Sequence, residues 1–151
     1  MFQFSGATYS VEFTNEAGLL ECLDMMMSLP RKPGTPRCTL RPRRWAPKGP
    51  EVPPASLRFD YDRERYVAAA VCLVCDRAGN VHAWMTRGGA GLDDVVLTHD
   101  SWNPDDTRFP PESFVTVAQL RELVAQWAFG DVLPPPAVEW TVELPDDIGW
   151  L

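Results

Sequence analysis

The residues able to do chemistry in this chain are few and widely placed. His82 and His99 are its two histidines. His99-Asp100-Ser101 groups a base, a carboxylate and a hydroxyl. Neighbours along the chain cannot converge as a nucleophile, base and orienting group, which requires side chains from separated positions. There is no G-x-S-x-G elbow, no phosphate loop and no zinc-deaminase signature. Cys72-Leu-Val-Cys75 has C-x-x-C spacing but lies in a strand pattern, where residues three apart face opposite sides, so one metal ion is out of reach of both. With Cys22 and Cys38 these thiols are expected to stay reduced. Arg87-Gly-Gly-Ala-Gly-Leu92 runs into Asp93 and Asp94, whose charges oppose anion binding, so a plain hairpin turn is expected there. No catalytic residue, cofactor or metal is assigned. The remaining candidate is the acidic stretch from Asp93 to Asp106. Asp93, Asp94, Asp100, Asp105 and Asp106 flank Trp102, a pattern suited to an aromatic contact with a charged rim. These six residues are the expected partner-binding set.

Charge supports a binding role. The chain carries a formal net charge of −7. From Asp93 to the end, twelve acids face only Arg108 and Arg121. Such a surface repels nucleic acid and draws basic partners. The opposite bias lies in Arg31, Lys32, Arg37, Arg41, Arg43, Arg44 and Lys48, with no acid among them. That segment reads as a solvated loop that partly offsets the acidic face, since the whole-chain charge argues against nucleic-acid contact.

Several elements must position these groups. Tyr9, Val11 and Phe13 alternate with polar residues as a first strand. A helix capped by Thr14 or Asn15, with Leu20, Leu23 and Met27 on one face, is expected to stop at Pro30. Residues 30–56 hold eight prolines and form a Pro/Arg-rich irregular connection, with a short strand near Cys38 to Leu40. Leu57 to Tyr61 reads as an edge segment. Tyr66 to Cys75 is almost wholly apolar and reads as a central strand. The Asp76-to-Asn80 turn, with Gly79 able to take positive φ, leads to alternation through Val81, Ala83 and Met85, the clearest hairpin signal in the chain. A short strand over Asp94 to Thr98 follows. Thr116 and Gln119 form a T-x-x-Q capping box for a helix with Val117, Leu120, Leu123, Val124 and Trp127 on its apolar stripe. Gly130 is placed as a left-handed C-cap, and Pro134 to Pro136 forbid continuation. Val138, Trp140, Val142 and Leu144 then alternate as a last strand. Trp84, Trp127 and Trp140 are expected in the core. The sum is a single α+β domain over 1–151: a mostly antiparallel sheet with two main helices on its faces. The longest apolar run has nine residues, too short for a membrane span. The N-terminus lacks a basic and apolar leader pattern, so a cytoplasmic protein is expected.

The order Phe109-Pro110-Pro111, a helix with Trp127 and Phe129 near its end, Gly130, a proline and Val138-Glu139-Trp140 resembles the Imm1 family of bacterial immunity proteins. The resemblance covers about the last third of the chain and, more loosely, the hairpin from Tyr66 to Thr86. The Arg-Pro usual before the last strand is replaced by Leu133-Pro134-Pro135-Pro136. It implies a cytosolic inhibitor that binds a cognate toxin, a basic domain acting on nucleic acid: a deaminase, with a nuclease as alternative. A small-ligand regulatory domain, with a dry pocket beside His82 and Trp84, is the reading from a different class.

Overall fold

In a computed structural model of the chain, which describes residues 2–5, 10–29, 38–42, 55–76, 78–99 and 108–142, the periodic segments form one sheet and two long helices. The strands are β1 (Phe2–Ser5), β2 (Ser10–Phe13), β3 (Cys38–Pro42), β4 (Ala55–Asp62), β5 (Val67–Cys75), β6 (Val81–Arg87), β7 (Val115–Thr116) and β8 (Glu139–Thr141). The helices are α1 (Glu16–Ser28) and α2 (Val117–Phe129), with a short 3₁₀ turn at Pro111–Ser113. The sheet order is β2-β1-β3-β4-β5-β6-β8, with β7 also on β5, and every pairing is antiparallel. No described helix is long and apolar enough to cross a membrane.

Helix ends are set as the sequence reading expects, with one exception. Asn15 Oδ1 accepts the Gly18 N–H at 2.8 Å and caps α1. The far end of α1 is tied to β4 and the turn after it: Tyr61 Oη and Arg63 Nη1 donate to the carbonyls of Met26 and Met27 in the last turn of the helix. Both bonds of the capping box open α2, with Gln119 N–H on Thr116 Oγ1 at 3.1 Å and Thr116 N–H on Gln119 Oε1 at 2.9 Å. Gly130, however, is extended at φ −84° and ψ 166°. It is not a left-handed cap. Its N–H bonds to the Gln126 carbonyl at 2.8 Å, and a Cβ there would lie only 2.5 Å from that oxygen.

The two helices share one face of the sheet. Leu19, Leu23, Met26 and Met27 of α1 and Leu120, Leu123, Val124 and Trp127 of α2 pack on Leu57, Phe59, Ala68, Ala70 and Cys72. The small residues on β5 let the helices approach closely. Trp84 and Trp140 are half-buried against the same cluster. The opposite face is covered by extended chain. There Val67, Ala69, Val71 and Leu73 of β5 and Met85 of β6 meet Val95, Leu97, Phe109 and Phe114. β5 is therefore buried on both sides, which explains its unbroken apolar run.

Three further expectations are corrected. Leu57 to Tyr61 is not at an edge, because β4 lies between β3 and β5. Asp94 to Thr98 is not a strand: the segment is held by one bridge, Thr98 to Arg108, and by the Phe109 N–H on the Leu97 carbonyl at 2.8 Å. The last strand is only Glu139–Thr141, and Val142 is 72% exposed, so its apolar alternation does not continue into the core. Leu144 lies outside the described residues. So do the basic residues Arg31, Lys32, Arg37, Arg43, Arg44 and Lys48.

Candidate functional site

The described part of the acidic stretch, Asp93 to His99, packs on the face opposite the helices through Val95 and Leu97, and three kinds of contact fix it. The first is a close pass of backbones. The N–H groups of Gly88 and Ala90 donate to the carbonyls of Glu112 and Phe114, at 2.8 and 3.2 Å. A Cβ on Gly88 would lie 2.2 Å from the Phe114 oxygen, and one on Gly91 would lie 2.3 Å from that of Pro111. These glycines are required by contact with the 3₁₀ turn. The segment is thus not the plain hairpin turn expected from its composition.

The second contact is a buried carboxylate. Asp60 on β4 is 6% exposed, and its Oδ2 accepts the Thr98 N–H at 2.9 Å. Its Oδ1 accepts the Tyr61 N–H, also at 2.9 Å. Such charge-assisted bonds are worth about 1.5–3 kcal/mol each where water is excluded. Asp60 therefore latches the loop to the sheet by backbone, whatever side chains the loop carries. The third contact is an ion pair, Arg65 Nη1 to Asp94 Oδ2 at 2.5 Å, between the β4–β5 turn and the loop. Both partners are about half exposed, so it orients more than it stabilises.

Of the six expected contact residues, Asp93 and Asp94 are described, and both are exposed. Asp100, Trp102, Asp105 and Asp106 lie outside the described residues. The loop also turns Leu92 and Val96 outward, at 37% and 48% exposure. Sequence reasoning missed Asp60 and Arg65, which hold this surface in place. It also missed Thr86. The Thr86 hydroxyl, fully buried, accepts the Ala70 N–H at 3.0 Å and donates to the Ser113 carbonyl at 2.8 Å. It fills the gap where β5 changes partner from β6 to β7.

The histidines have structural surroundings. His99 is 2% exposed, with its ring edge-on to Phe109 at 5.4 Å between centroids. His82 Nε2 lies 3.1 Å from Asp76 Oδ2, and its ring stacks over Trp84 at 6.1 Å. The His82 side chain is half exposed, unlike a polar group aimed into a dry pocket. Asp76 organises its turn: its carboxylate accepts from the Ala78 and Asn80 backbones and the Asn80 side chain. These bonds, with Asn80 and His82 foremost, hold its carboxyl far below the usual carboxylate range. Gly79 adopts the expected positive φ of 87°.

Cys22, Cys72 and Cys75 are free thiols. Burial pushes Cys72 up to about 12, partly offset by a hydrogen bond from Trp127. Cys72 faces the helices, whereas Cys75 is half-buried near the strand end and contacts the Asp76 carbonyl. Among the described residues no three His, Cys, Asp or Glu side chains gather closely enough to hold a metal ion.

No family model, no curated protein and no solved structure matches this chain.

Proposed function

We propose that this chain is an immunity protein: a binding protein that neutralises a cognate bacterial toxin by covering its active site or its substrate groove. The toxin is a basic domain acting on nucleic acid, in the first instance a deaminase. The supporting observation is the anchoring of the acidic loop. Asp60, the Gly88 pass and the Arg65–Asp94 pair fix the start of a carboxylate-bearing segment on a sheet whose central strand β5 is buried from both sides. The anchored part of that surface, with Asp93 and Asp94, loses little conformational entropy on association. A toxin that grips the phosphate backbone must display Lys and Arg, and the carboxylates meet that charge. The order of parts around α2 and its resemblance to immunity proteins agree with this reading. A nuclease toxin presents the same basic groove and fits equally on charge.

The experiment is co-expression with the toxin encoded by the adjacent gene. Growth should be rescued and a one-to-one complex should purify. Reversing Asp93 and Asp94 to lysine should slow association by about tenfold at low salt and flatten its salt dependence. Unchanged association would remove the loop as the contact. Failure of rescue by the unaltered chain would remove the immunity reading itself. Which reaction the purified chain suppresses, base deamination or strand cleavage, separates the two toxin classes.

A further inference from the structure

We propose that the open half of the β6 edge, Val81 to Trp84, takes up an extended segment of the basic partner protein as an added antiparallel strand. This deepens the immunity reading and rests on it. β5 takes one side of β6, from Val81 opposite Cys75 to Met85 opposite Val71. β8 takes the other side only from Met85 to Arg87, through Thr141 to Glu139. The pairing stops there, and Val142 is 72% exposed.

The alternation of the ladder decides which backbone groups are left over. The Asp76 N–H donates to the Asn80 carbonyl at 2.8 Å, and this pair continues the β5–β6 register. Hydrogen-bonded and non-bonded pairs alternate along antiparallel strands. His82 and Trp84 therefore aim their backbone groups at β5, and Val81 and Ala83 aim theirs outward. Met85, next in the outward series, is the residue that meets Thr141 of β8. The N–H and C=O groups of Val81 and Ala83 thus extend a row that β8 has begun to use, and no described strand pairs with them. Both residues are only half-buried. Two donors and two acceptors in this order are matched by another extended backbone, as when a peptide adds a strand to a sheet.

The stretch also lacks the usual guards. Edges kept from pairing are short, charged, bulged or broken by proline. β2, at the far end of the sheet, displays the exposed Glu12, and β8 is three residues long. Val81-His82-Ala83-Trp84 holds no Lys, Glu or Pro and keeps an unbroken register. Charge then selects the occupant. A net charge of −7 opposes a second copy of this chain and favours a cationic segment. At the start of the stretch stands Asp76, whose Oδ2 lies 3.1 Å from His82 Nε2. Ala83 packs against the cluster that includes Val95 and Leu97, so the edge borders the face that carries the acidic segment.

Hydrogen exchange of the full-length chain, alone and with the toxin encoded by the adjacent gene, reads the edge directly. In the free chain at low concentration the Val81 and Ala83 amides should exchange rapidly, while those of His82 and Trp84 are protected. In the complex the Val81 and Ala83 amides should slow by about tenfold or more. Val81→Pro removes one outward donor at the first residue of the strand, where proline is tolerated. It should weaken the complex by roughly three- to tenfold, whereas Val81→Thr, which keeps the N–H, should stay within about twofold. Equal affinity of these two variants would overturn the proposal. Should the proline variant fail to fold, exchange in the unaltered complex decides. Unchanged exchange at Val81 and Ala83 in a complex that forms would overturn the added strand and leave the immunity reading standing. Protection of both amides in the free chain at every concentration would overturn it by assigning the edge to this chain's own residues. Protection that grows with concentration in the absence of toxin would assign the edge to a second copy and overturn it likewise. Without complex or rescue of growth, the immunity reading and the added strand fall together.

Discussion

The two faces of the sheet are held by different physics. The helical face is a continuous apolar cluster in which two amphipathic helices bury whole stripes. Each buried leucine there contributes about 1.5–3 kcal/mol without directional demands. The opposite face has fewer apolar contacts, and its covering chain depends on discrete polar fixings: Asp60 on Thr98, Thr86 between Ala70 and Ser113, and the Gly88 pass. The first face tolerates exchange of one hydrophobe for another of similar volume. The second tolerates change in the residues it displays, provided its few anchors remain. This division suits a scaffold carrying a variable surface.

The contrast can be broken most severely on the helical side. Leu120→Ala, at a fully buried position, should cost about 2–5 kcal/mol in denaturant unfolding. It should lower protection from hydrogen exchange across the whole sheet. A loss confined to α2 would mean that the helical face does not hold the fold together.

Thr86→Val keeps shape but removes the hydroxyl, leaving the Ala70 N–H and the Ser113 carbonyl without it. A loss of about 1–3 kcal/mol is expected for each stranded group. Exchange should accelerate first at Ala70 and along the segment from Gly88 to Thr98. Gly88→Ala should cost about 1–3 kcal/mol through overpacking against the Phe114 carbonyl. Its mark is local: faster exchange at Ala90 and Val95 while α2 amides keep their protection. Equal loosening of α2 would erase the distinction between the faces.

The smallest effect is a pH dependence. The Cys72 thiol stays protonated in the folded chain until about pH 12, whereas an unfolded thiol ionises near 9.0. Above that lower value the unfolded state holds fewer protons, so stability falls as pH rises through this window. The slope reaches at most about 1.4 kcal/mol per pH unit. Cys72→Val should lack this part of the alkaline slope, and an identical slope in both proteins would contradict the burial. At neutral pH an alkylating reagent should leave Cys72 untouched in the folded protein.

How much of this was legible in the chain follows the same division. Val117, Leu120, Leu123, Val124 and Trp127 announced α2 by spacing, and all five are buried. The capping box and the β5–β6 turn were equally local, and both formed as read. The other face was written in long-range terms. Leu57 to Tyr61 reads as an edge segment from sequence, yet Ser56 and Asp60, which alternate with Leu57 and Phe59, are buried. The clue lay one strand further on: β5, apolar at every position, must be covered on both sides, and that cover reaches Ser56 and Asp60 beside it on β4. The glycines after β6 resembled a turn because composition cannot tell freedom of φ from lack of room for a Cβ. For the candidate site, Asp93 and Asp94 were legible from charge. Arg65 was not, because an ion pair across the fold leaves no periodic trace.

The switch of partners along β5 has one more consequence. β6 and β7 both line the same edge of that strand, so the chain between Arg87 and Val115 departs from the sheet and rejoins it along a single rail. The excursion is also part of the frame, since Val95, Leu97, Phe109 and Phe114 return from it to cover β5.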